Sequence, residues 1–125
     1  MFKANKLYVQ IKRNQIIVLD LISGNQVAEN ASIPFSTAHA VLASFHPAKE
    51  LLSSVLRKLG VKWSFFGSKI AIQQVSDSGA GLSDIEKRAL RDLAEMVGGT
   101  NVIIVEREKP LSNNEALLFM TGFLS

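Results

Sequence analysis

The chain has no cysteine in its 125 residues. That excludes disulfides and thiolate metal centres, and it fits a reducing compartment, so a cytoplasmic location is expected. No apolar run approaches the roughly 20 residues needed to cross a membrane, and no signal-peptide core follows the N-terminus. No transmembrane segment is expected. Net charge is only +3, and the basic residues are dispersed instead of forming a stripe interleaved with aromatics, so no nucleic-acid partner is expected either. No internal repeat, low-complexity segment or linker divides the chain, which reads as one domain over residues 1–125. With 47% apolar and 20% charged residues it has an ordinary globular composition, long enough to bury a sizeable core.

The most informative stretch is 82–106, LSDIEKRALRDLAEMVGGTNVIIVE. Ser83 followed by Glu86 is a capping box, in which the hydroxyl takes a first-turn amide and the glutamate reaches back to the cap's own amide. Ile85, Ala89, Leu93, Met96 and Val97 recur at helical spacing and predict the buried face. Gly98 and Gly99 supply a left-handed stop. The apolar run 102–105 lacks alternation, which predicts a strand covered on both faces.

Upstream, 7–12 and 15–22 read as two antiparallel strands around a tight turn at Arg13 and Asn14. A third strand is expected over 27–33, ending at Pro34. Segment 37–45 is ambiguous, with a short helical turn as one reading. A helix begins near Pro47 and runs through Leu51, Leu52, Val55, Leu56 and Leu59 to Gly60, with Arg57 and Lys58 suited to its negative end. Residues 69–75 predict another strand, 76–81 a loop, and 115–124 a short C-terminal helix on the sheet. The expected class is α/β in the order βββαβαβ, with that terminal helix as an addition.

This order is that of the ribonuclease-H-like core of actin-like ATPases, and Glu86, Arg88, Ala89, Leu90 and Arg91 stand in the order of a helix in the MreB family. There a helix rich in E-R-R-A-[IV]-R leads through a glycine turn into V-x-L-I-E, which 83–106 resembles. The resemblance covers most of the chain but one subdomain of the family's architecture. It implies a nucleotide site at D-L-G-T-A-N-T, where glycine admits the phosphates. The matching residues here are 1–6. Ala4 and Asn5 keep their types, but Phe2 replaces the glycine, Lys3 the threonine, and the Mg²⁺-organising aspartate has no counterpart. The small-subdomain insertion after the third strand is missing, the chain is read as ending before a second domain, and Pro110 and Leu111 only loosely resemble the family's E-P-hydrophobic turn. The resemblance therefore implies a scaffold without its usual nucleotide chemistry.

Lys12 and Arg13 are weak anion-binding candidates, against a solvated basic turn without a glycine nest. The 76–81 loop offers amides but not the phosphate-loop pattern or its lysine. His39 and His46 lie seven apart without a carboxylate at ligand spacing, so no metal and no cofactor are expected. Asp20 and Asp77 do not make the convergent carboxylates of a nuclease. Two aromatic clusters, Trp63, Phe65 and Phe66, and Phe119, Phe123 with Met120 and Leu124, are candidates for an interaction surface or for core. Two functions stay open. One is a noncatalytic MreB-like interaction or assembly module that binds a protein partner or itself, linked to cell shape or a bacterial cytoskeleton. The other is a small anion- or nucleotide-binding protein or enzyme on the same scaffold.

Overall fold

A computed structural model describes residues 5–37, 40–61, 67–75 and 82–121. Five strands and three helices follow one another along these residues: β1 (Asn5–Lys12), β2 (Gln15–Asp20), β3 (Gln26–Asn30), α1 (Phe45–Leu59), β4 (Ser68–Gln74), α2 (Asp84–Met96), β5 (Gly99–Ile104) and α3 (Asn113–Thr121). The strands form one mixed sheet in the order β3-β2-β1-β4-β5. β1 sits at its centre, antiparallel to β2 and parallel to β4, while among the described residues β5 pairs only with β4 and β3 only with β2.

Sidedness follows from the two-residue period of the strands. Leu7, Val9 and Ile11 of β1 face the layer of α1 and α2, where they join Leu52, Val55, Ile70, Ile72, Leu90 and Leu93 in the main core. Tyr8 points the other way, into a smaller core with Leu19, Ala71, Val105, Leu111, Ala116 and Phe119 beneath α3. β1 is thus covered on both faces, as its nearly unbroken apolar sequence requires.

α1 buries Ala48, Leu52, Val55 and Leu56 and ends in a Gly60 cap, with the Val61 amide reaching back to Leu56. Its Ser44 cap makes no side-chain bond, and the helix starts at Phe45, with Pro47 in its first turn. Segment 37–45 holds no helical turn among its described residues before Phe45. There Phe35 is fully buried and its carbonyl takes the amides of Ala43 and Ser44.

α2 carries the expected capping box at Ser83 and Glu86. Its buried face, however, is Leu90, Leu93, Ala94 and Val97, and Ile85 and Met96 are 83% and 56% exposed. The arc that contains Leu90 and Val97 wins because it is the more continuous at positions i, i+3, i+4 and i+7. β3 ends at Asn30, before Pro34, and β2 stops at Asp20, whose carboxylate takes the amides of Ile22 and Ser23 and closes the turn. β5 also differs from the doubly covered strand expected over 102–105: Val102, Ile103 and Ile104 are only half-buried, because the strand is the edge of the described sheet.

Candidate interaction surface

The β1–β2 turn is held by its own chain. Asn14, in the left-handed region at φ 54°, accepts the amides of Phe35 and Ser36 on its side-chain oxygen, each at 2.9 Å. Its own amide donates to the Ser36 hydroxyl at 2.9 Å, and its carbonyl accepts from Ala31 at 2.8 Å. The Arg13 guanidinium donates to the Thr37 carbonyl. Of the two weak anion candidates, Arg13 is therefore engaged with a carbonyl, and Lys12 is half-buried at the end of β1.

The C-terminal end of β4 carries two consecutive glutamines that hold opposite layers. The Gln73 amide group donates to the carbonyls of Arg107 and Lys109, both at 2.8 Å, and its oxygen accepts from the Tyr8 hydroxyl. That hydroxyl in turn accepts the Leu111 amide at 2.9 Å. Burial pushes the Tyr8 phenol up, which keeps it the neutral donor this chain of bonds needs. Gln74, on the other face, donates to Glu86 at 2.9 Å. The Ser83 amide of the capping box, then Gln74 and last the Ser83 hydroxyl hold Glu86 below the usual carboxylate range. These polar groups fasten the 107–111 turn and α2 to the sheet.

The other sequence candidates are dispersed. Phe119 is 2% exposed in the smaller core, with the Arg107 guanidinium 5.4 Å above its ring, so it is a core residue and not part of a surface. Trp63, Phe65, Phe66 and Phe123 lie outside the described residues, as do residues 1–4, 76–81 and His39. His46 is exposed, 4.0 Å from Glu50. Among the described residues, no three His, Cys, Asp or Glu side chains gather as a metal site. No helix of the described residues is long and apolar enough to cross a membrane.

A feature absent from the sequence expectations is the edge of β5, which is free among the described residues. An open groove of about 760 Å³ runs beside it, lined by Val102, Ile103 and Ile104 below and by charged residues of α2 above. α2 runs antiparallel to β5. Lys87 and Arg88 accordingly stand at the end where Glu106 leaves the strand, and Asp92 and Glu95 stand at the end where Gly99 enters it. Lys87 and Glu106 pair at 2.8 Å, which raises the lysine's pKa. Arg91 sits midway, with its guanidinium 3.4 Å from the Val102 carbonyl. The signal was present in the sequence as an apolar V-I-I-V run following a helix whose basic residues precede its last acidic ones.

No protein-family model matches the chain. Over 103 residues it is 34% identical to the uncharacterized protein YjaA of Escherichia coli (strain K12), a match that spans 78% of this chain and 77% of that protein. In structure it is similar to MreB5 of Spiroplasma citri, solved bound to ADP, with a TM-score of 0.55 and 11% identity over 83% of this chain. The chain spans 38% of the length of that protein. At that identity the likeness concerns the actin-like fold alone.

Proposed function

This chain belongs to the family of the Escherichia coli protein YjaA, and we propose that it is a noncatalytic interaction or assembly module carried on one subdomain of an actin-like, ribonuclease-H-like scaffold. The observation that carries this reading is the β5 edge: a terminal strand with three half-buried aliphatic residues, bordered by a groove with charges of both signs. Apolar strand edges of this kind pair readily with other chains. The noncatalytic part is supported by the β1–β2 turn, where the polar atoms of Asn14, Ser36 and Arg13 bind segment 31–37. It is supported also by Phe2 and Lys3, which stand where the resembled ATPases carry glycine and threonine. The fold likeness to a bacterial actin supports a role beside cell-shape or cytoskeletal proteins in the cytoplasm.

The test is calorimetric titration with ATP, with and without Mg²⁺. No saturable binding is expected at millimolar nucleotide, a limit corresponding to about −4 kcal/mol. Tight Mg²⁺-dependent binding would overturn the noncatalytic reading in favour of a nucleotide-binding protein.

A further inference from the structure

The free edge of β5 has a definite hydrogen-bonding pattern. Val105 donates its amide to Ile72 of β4 at 2.9 Å, and strand groups alternate in direction, so Val102 and Ile104 turn their amides and carbonyls away from the sheet, while a register shift against Ser68 and Lys69 interrupts that alternation at Thr100. β5 itself holds no proline and no charged residue, and the group that reaches its outward side from α2 is the Arg91 guanidinium on the Val102 carbonyl.

We infer that the occupant of this edge is a second copy of the same chain, joined by antiparallel β5–β5 pairing about a twofold axis through Val102. This rests on the interaction-module reading and names its partner. In that register the two Val102 residues exchange both of their hydrogen bonds. The five-stranded sheets become one ten-stranded sheet. Directly opposed residues of an antiparallel pair point to the same face, so the two α2 helices lie side by side and antiparallel across the axis.

Charge complementarity selects this partner. Arg91 marks the level of Val102 on α2. With a rise of about 1.5 Å per residue, Arg88 lies roughly 4.5 Å to one side of that level and Glu95 roughly 6 Å to the other. The twofold therefore brings Arg88 and Lys87 of each copy opposite Glu95 and Asp92 of the other, twice over. A parallel or translated neighbour would set like charge against like. Arg91 yields the Val102 carbonyl to the incoming amide and turns toward the partner's Asp92. The Lys87–Glu106 pair stays within each copy.

Light scattering and sedimentation across concentration test this, with three variants. The native chain is expected at twice the chain mass. Val102→Pro removes an outward amide and no bond to β4; it is expected to keep its circular dichroism spectrum and be monomeric. Arg88→Glu alone, on an exposed side chain, is expected to weaken the dimer about tenfold, because two cross-axis pairs become repulsive. Adding Glu95→Arg restores it, since the swapped charges again face opposites. If Val102→Pro fails to fold, the charge swap decides. A native chain that stays monomeric at roughly millimolar concentration overturns the pairing, as does a dimer indifferent to Arg88→Glu. Neither outcome touches the noncatalytic reading, which the ATP titration decides.

Discussion

The sheet has two edges, and they are built to opposite specifications. β3 presents Gln26, Ala28 and Asn30 exposed, and its inward-facing Glu29 pairs with Lys58 of α1. β5 presents Val102, Ile103 and Ile104 with no charge among them. A charged residue pointing inward and polar residues along the rim are the usual protections of an edge against pairing. One edge of this protein is closed to other chains by its side chains, and the other is left open. A small domain that needed neither edge would be expected to protect both. The asymmetry teaches that β5 is kept bare for use.

The largest effect is expected where β5 seats against β4. Gly67 has φ 85°, and a Cβ there would lie 2.1 Å from the Thr100 hydroxyl. That hydroxyl cannot swing aside freely: it accepts the Ser68 amide at 3.1 Å and donates to the Ser68 carbonyl at 3.2 Å. Gly24, in the turn leading into β3, has a similar φ of 81° with nothing within 4 Å. Gly24→Ala is therefore expected to cost the backbone term alone, about 1 kcal/mol. Gly67→Ala is expected to cost about 3 kcal/mol, since clash and lost hydrogen bonds are added. Urea denaturation of both variants gives the difference directly. Equal losses would mean that the close approach at β5 contributes nothing.

A smaller effect on stability, with a larger one on assembly, is expected from making the protected edge resemble the open one. Glu29→Val removes an exposed ion pair worth at most about 1 kcal/mol, and it removes the inward charge from β3. With two competent edges the molecule no longer closes as a pair, so light scattering should show species above the dimer that grow with concentration. A mass distribution unchanged from the native protein would show that Glu29 does not protect its edge.

How much of this was legible depended on the range of the interaction concerned. The start of α2 could be read because Ser83 and Glu86 settle it within four residues. By the same signal the start of α3 was there to be read: Ser112 and Glu115 bond reciprocally at 3.0 and 3.2 Å, two residues before the expected start and at the sequence S-N-N-E. The buried arc of α2 differs from the expected one because Ile85 and Met96 share a helical face, and only the sheet's position decides between that face and the arc of Leu90. The V-I-I-V run predicts double cover because an edge strand and a central one can share a composition, and order in a sheet is a long-range property. The Tyr8, Gln73 and Leu111 connection spans most of the chain and leaves no local trace. Aromatics are the compositional signal of a surface, but the structure puts Phe119 in the core and half-buried aliphatic residues at the rim.

The smallest effect concerns the helices that roof the two edges. α1, over β2 and β3, starts at Ser44 without a side-chain cap, whereas α2, over β4 and β5, starts with a capping box that Gln74 ties to the sheet. The bonds to Glu86 favour its ionised form and lower its pKa from 4.5. A carboxyl with a depressed folded-state pKa contributes stability that is fully present above its unfolded value and is lost as pH falls through the folded one. Stability should therefore decline below about pH 4.5 through this group, and Glu86→Gln should flatten that part of the profile while costing a few tenths of a kcal/mol near neutrality. Glu86 is largely solvent-facing, so the change is small. It should be read as a difference between native and variant urea midpoints across pH. Because the group anchors only α2, amide exchange at acid pH should quicken first in the first turn of α2 and not in α1. Equal quickening of both helices would mean that the open edge has no better-anchored roof than the closed one.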